Sequence, residues 1–71
     1  MKISLILPVL NEEENLNDMN AEIVGVVEKM DIDYEIIYID DGSTDRSFEI
    51  LSALREQNPN IKVIQFRRNF G

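Results

Sequence analysis

Apolar residues follow two different rhythms along this chain, and the switches between them mark out its elements. Residues 3–7 are apolar at every position but Ser4 and are followed closely by Pro8. A run so short and so bounded predicts a buried strand ending near Pro8, not a helix. From Leu16 the rhythm changes: Leu16, Met19, Ile23, Val26, Val27 and Met30 recur at intervals of mostly three and four, with Asn17, Asp18, Glu22, Glu28 and Lys29 opposite. That is the pattern of an amphipathic helix. Asn11 and Glu14 have the spacing of a capping box ahead of it, and Glu12, Glu13 and Glu14 set negative charge at the positive end of its dipole. Residues 34–39 are apolar at nearly every position, as expected of a parallel strand covered on both faces.

Asp40-Asp41-Gly42-Ser43-Thr44-Asp45 breaks the second strand. Gly42 permits a positive φ in the turn, and Ser43 or Thr44 can cap a second helix that buries Phe48, Leu51 and Leu54, with Ile50 beside them. Asn58-Pro59-Asn60 stops that helix, and 61–66 alternate weakly enough for a strand at a sheet edge. The predicted order is β-α-β-α-β. Helix-length connections imply right-handed crossovers, an α/β fold and a parallel sheet ordered 3-2-1 covered by both helices. This is half of a doubly wound fold. Strand one should lie in the middle of a larger sheet, so its second edge calls either for more chain or for another copy.

Composition narrows the class. One domain, residues 1–71, is all the length allows, and with no cysteine or histidine it has no disulfide or obvious metal staple. Marginal stability in isolation is expected. No apolar run reaches the roughly 18 residues of a membrane span and the amino terminus lacks the layout of a signal peptide, so the expected compartment is cytoplasmic. A net charge of −7 argues against a nucleic-acid partner, because binding phosphates requires gathered cations. The one basic pair, Arg67-Arg68, stands near the end of the chain.

Ligands of open α/β sheets bind beyond the carboxyl ends of the strands, which directs attention to 8–13, 40–45 and 67–71. The first segment has no glycine and three glutamates, which disfavours a dinucleotide-binding turn, and no G-x-x-x-x-G-K pattern for a P-loop occurs. An EF-hand started at Asp41 fails on spacing, with Arg46 at the glycine position and Ser52 at the bidentate position. Asp40-Asp41 suits a nucleoside, since ionised carboxylates accept from ring N–H and ribose O–H groups. Equally, Asp41, Ser43 and Asp45 can simply satisfy the start of helix two. Glu13 and Glu14 need no role beyond matching a helix dipole, whereas Arg67 and Arg68 are either a solvated strand end or forks for phosphate oxygens.

Three segments in order carry a family resemblance: Ile6-Leu7-Pro8-Val9-Leu10-Asn11-Glu12-Glu13, Tyr38-Ile39-Asp40-Asp41-Gly42-Ser43-Thr44-Asp45 and Arg67-Arg68-Asn69-Phe70-Gly71. Together they resemble the opening of the family 2 inverting glycosyltransferases with the GT-A (Rossmann-like) fold. The third resembles the branch of dolichol-phosphate mannosyltransferase and the polyprenyl-phosphate glucosyltransferases. The likeness runs end to end but corresponds to only the first part of the family's catalytic domain. It implies Pro8, Leu10 and Glu12 around the nucleoside of a sugar donor, with Asp41 facing the base. Position 10 is commonly aromatic in the family, and Leu10 offers apolar contact without ring stacking.

The resemblance further implies a nucleoside diphosphate sugar as donor and a polyprenyl phosphate or glycan as acceptor, at the cytoplasmic face of a membrane. The family's Asp-x-Asp metal motif and general base fall beyond these residues, so no catalytic residue and no metal ligand is expected in this chain. A divalent Mg or Mn ion would serve the full-length enzyme. Two other classes compete. The acidic end of strand two also looks like a phosphoreceiver signalling module, although a receiver has its acidic pair after strand one. A non-catalytic α/β binding or structural piece is the third reading.

Overall fold

A computed structural model describes residues 1–66, in the order β1 (Lys2–Val9), α1 (Leu16–Lys29), β2 (Asp33–Asp40), α2 (Ser47–Gln57) and β3 (Ile61–Gln65). The three strands form one parallel sheet ordered β1-β2-β3. Counted from the β1 edge this is 1-2-3, not 3-2-1, but the neighbours are the same, with β2 between the other two. Within this three-stranded sheet β1 is an edge strand, with its second edge open among the described residues. Val9 O accepts from Asp41 N at 2.9 Å, so the odd residues of β1 bond to β2 and the even ones point their backbone groups at the open edge. Pro8 falls on that open side, where its missing N–H takes nothing from the ladder.

Side chains of β1 and β2 alternate strictly. Ile3, Leu5, Leu7 and Val9 join Tyr34, Ile36 and Tyr38 on one face, against Leu16 and Val27 of α1 and Leu51 and Leu54 of α2. Two tyrosines fasten the helices to this face. Buried Tyr38 donates to Asn20 of α1 at 2.7 Å, and burial raises its phenol pKa. Tyr34 donates to Glu28 of α1 at 3.2 Å and accepts from Asn58, just past α2, at 3.1 Å.

Both helices thus lie on one side of the sheet. The strand pattern anticipated cover on both faces, and the topology explains the difference. Two right-handed crossovers that step in the same direction, β1 to β2 to β3, must put both helices on the same face. The opposite face carries Ser4 and Glu35 at its amino-terminal end and then Ile6, Pro8, Ile37, Ile39 and Ile64. Ile6 is 60% and Ile64 45% exposed. Its polar end is organised around Glu35, which accepts from Ser4 Oγ at 2.7 Å and pairs with Lys62 at 3.0 Å and Lys2 at 3.9 Å. The Ser4 hydroxyl, then Lys62 and Lys2, hold its carboxyl below the ordinary glutamate value.

The capping box does not form. Asn15, not Asn11, stands at the N-cap of α1 and makes no side-chain cap bond, while Glu12 O accepts from both Asn15 N and Leu16 N at 3.0 Å. Asn11 has φ 51, and its side chain is engaged elsewhere. Glu12, Glu13 and Glu14 consequently precede the helix, whose first-turn acid is Asp18. Ser43 and Thr44 likewise do not cap α2. Asp45 Oδ1 accepts from Ser47 N at 2.9 Å and does that work instead.

Candidate functional site

At the carboxyl ends of the strands lies a cleft of about 580 Å³, lined by Leu10 and Asn11 after β1, Gly42, Ser43 and Thr44 after β2, and Gln65 with Phe66 at the end of β3. The sequence locates it by direction alone, since all three strands run the same way and their ends converge. Gly42 supplies the left-handed turn, with φ 84. Leu10 and Phe66 are 47% and 53% exposed, so two apolar side chains border a cleft otherwise lined by polar groups.

The first two loops are joined by a ladder of bonds between residues more than thirty positions apart. Asn11 N donates to Ser43 Oγ at 3.0 Å, Glu12 N to Ser47 Oγ at 2.8 Å and Glu13 N to Asp45 Oδ2 at 3.2 Å. In return Thr44 N donates to Asn11 Oδ1 at 2.8 Å. Three consecutive amides at the approach to α1, the groups a phosphate would seek in a glycine-rich turn, are thereby occupied by side-chain oxygens. A diphosphate gains little there.

Asp40 anchors the turn from below. It is fully buried, its Oδ1 accepts from Ser43 N at 3.0 Å, and its Oδ2 has no hydrogen-bond partner among the described residues. Burial acts to raise the carboxyl of Asp45. The bonds it accepts from the Ser47 side chain, Ser47 N and Glu13 N outweigh that and leave it below its ordinary value. Among the described residues no group of three or more histidine, cysteine, aspartate or glutamate side chains is placed to hold a metal.

Residues 4–71 match the family model described as glycosyl transferase family 2. The chain belongs to that family. It is 37% identical over its whole length to an uncharacterized glycosyltransferase of Synechocystis, covering 22% of that protein. It is 38% identical, over 99% of its length, to an undecaprenyl-phosphate 4-deoxy-4-formamido-L-arabinose transferase of Sodalis glossinidius, again 22% of that protein. A prophage bactoprenol glucosyl transferase homolog of Escherichia coli is 39% identical, with all of this chain and 23% of the relative covered. The chain spans under a quarter of the length of these family 2 relatives.

Of the residues expected at a donor site, the structure places Leu10 in the cleft lining, while Asp41 stands next to Gly42 of that lining. Asp41 is exposed, and its amide extends the β1–β2 ladder. Pro8 lies on the bare sheet face opposite Ile39. Glu12 is exposed, with its amide on Ser47 and its carboxylate accepting from Asn15 Nδ2 at 3.3 Å. Arg67 and Arg68 lie outside the described residues. Sequence reasoning missed Asn11, Gln65 and Phe66 as lining. An aromatic residue closing a weak strand was the available signal for Phe66, but nothing local distinguishes an Asn that caps its own helix from one that reaches a neighbouring loop.

Proposed function

We propose that this chain builds the nucleoside-binding part of the donor site in a family 2 transferase that moves a sugar from a nucleoside diphosphate to a polyprenyl phosphate. The observation that carries this is the cleft at the convergent strand ends, bordered by Leu10 and Phe66 and lined by Gly42, the residue that follows Asp41 in the chain. Apolar borders favour a base or ribose face, and an acceptor-only carboxylate at the residue before the Gly42 lining favours a ring N–H or ribose O–H. Pro8 and Glu12 flank this region along the first segment, with Arg67 and Arg68 as partners for phosphate oxygens. The relatives named for undecaprenyl phosphate and bactoprenol support a polyprenyl phosphate acceptor. A lipid-linked acceptor of that kind brings the full-length enzyme to a membrane, in this proposal at its cytoplasmic face. Among the described residues no helix is long and apolar enough to cross one.

In the transfer, the bond from the sugar's anomeric carbon to the diphosphate oxygen breaks while an acceptor phosphate oxygen bonds to that carbon. That oxygen is already ionised, so no strong general base is needed. These residues bind and orient the donor. A divalent Mg or Mn ion would offset the diphosphate charge in the full-length enzyme, although the described residues do not form a cage for one. In isolation the chain also self-associates through its exposed sheet edge.

Asp41→Asn tests the site. It keeps the shape, removes the charge and turns part of the acceptor into a donor. Losing a charge-assisted bond of roughly 1.5 to 3 kcal/mol should weaken nucleoside diphosphate binding to the full-length enzyme by about one to two orders of magnitude. Glu13→Gln retains the amide that Asp45 uses and should bind as the parent does. Titration calorimetry with a divalent metal present compares them. Unchanged binding by Asp41→Asn, or damage by Glu13→Gln, would remove the nucleoside from the end of β2.

A further inference from the structure

We infer that Asn11 is a positioning residue for the donor, a clasp that fixes the 42–44 turn against the segment carrying Leu10 and Glu12. The inference rests on the donor-site reading above, since it concerns how the two sides of that cleft are held at one spacing. Neither loop has regular structure to hold it. Leu10 and the Asn11-to-Asn15 segment follow an edge strand, while 41–46 form an irregular turn around Gly42.

Asn11 joins them through both its backbone and its side chain. Its amide donates to Ser43 Oγ at 3.0 Å, and its Oδ1 accepts from Thr44 N at 2.8 Å and, more weakly, from Thr44 Oγ1 at 3.4 Å. With φ 51 at Asn11, the amides of residues 11 and 13 meet side-chain oxygens of the second loop and that of residue 12 meets Ser47 Oγ at the start of α2. Asparagine tolerates that left-handed conformation better than most side chains, and its short amide spans the gap. Because Thr44 N can only donate, Oδ1 must be the atom facing it, which fixes the orientation of the amide. Asp40 holds Ser43 N from the other side at 3.0 Å, so the turn next to Asp41 is pinned from two directions. Loss of the clasp leaves the strands intact and lets the cleft widen.

Asn11→Gly accepts the same positive φ and removes only the side chain, whereas Asn11→Asp retains an oxygen for Thr44 N. The probes are UDP, GDP, ADP, CDP and TDP titrated into the full-length enzyme with a divalent metal, followed by the free nucleoside of whichever binds. The free nucleoside separates the clasp from repulsion between a new carboxylate and the phosphates. Asn11→Gly should raise the donor KM and Kd about tenfold, leave kcat and the acceptor KM within about twofold, and melt within a few degrees of the parent. Asn11→Asp should restore nucleoside affinity to within about threefold. Parent-like binding by Asn11→Gly overturns the clasp, as do equal losses in both variants, or a joint collapse of kcat, both KM values and the melting temperature. If the parent enzyme binds none of the five diphosphates, the donor-site reading fails first and takes the clasp with it.

Discussion

Asp40 and Asp41 are neighbours in the chain with opposite situations, and the alternation of β2 sets the difference. Position 40 falls on the helix-covered face with Tyr38 and Ile36, so its carboxylate is buried, whereas position 41 is exposed beyond the strand end. For Asp40 the useful property is an acceptor for Ser43 N, and its second oxygen is without a hydrogen-bond partner among the described residues. Asp40→Asn keeps that acceptor at the same size, so it should change stability by less than about 1 kcal/mol. Asp40→Ala strands the Ser43 amide and should cost about 1 to 3 kcal/mol. Urea unfolding of the full-length enzyme compares the two. Equal losses would mean that the bond to Ser43 is not what holds the turn.

Among the elements, the loops at the strand ends depend on carboxylates more than the helices do. Asp45 receives Glu13 N and Ser47 N, and its carboxyl lies lower in the fold than its ordinary value. A group that binds its proton less readily when folded stabilises the fold above its unfolded pKa, and the benefit is lost as pH falls through the folded value. Glu35 has the same sign, so the isolated chain should lose stability below about pH 4. Asp45→Asn should flatten that acid limb in thermal melts taken from pH 6 to pH 3, and an unchanged slope would count against it. This inter-loop chemistry was the part least visible in the sequence. The strands and helices were legible from their periods, because apolar spacing depends on the element's own geometry. Asn11 and Glu14 read as a local capping box, yet Asn11 is claimed by Ser43 and Thr44, and such competition is decided by which loops the topology brings together. The segment after β1 and the acidic turn are legible because strand polarity predicts where ends converge, Leu10 within the first is singled out only by the family resemblance, and Gln65 and Phe66 lie just before the third segment, 67–71.

For the molecule as a whole, the two-sided apolar character of β2 exceeds what its own helices cover. Ile37 and Ile39 lie on the bare face beside Ile6, Pro8 and Ile64. A second uncovered region, a groove of about 410 Å³ lined chiefly by Ile3, Leu5, Ile23, Val26 and Met30, runs along the open edge of β1. These surfaces predict that the 71-residue chain, made alone, self-associates, and the two make separable claims. Face-to-face pairing would bury Ile6 and Ile64, whereas edge-to-edge pairing would use the unpaired backbone groups of Lys2, Ser4 and Ile6. Burying a large aliphatic side chain contributes roughly 1.5 to 3 kcal/mol. Ile64→Lys, on β3 at the far side of the sheet from the β1 edge, should therefore weaken a face-to-face dimer at least tenfold in sedimentation equilibrium and leave an edge-to-edge dimer unchanged. Val26→Lys, in the groove and off the bare face, should have the reverse preference. A chain that stays monomeric at high micromolar concentration and melts sharply at high temperature would show that neither surface drives association and that the two helices suffice to stabilise the sheet.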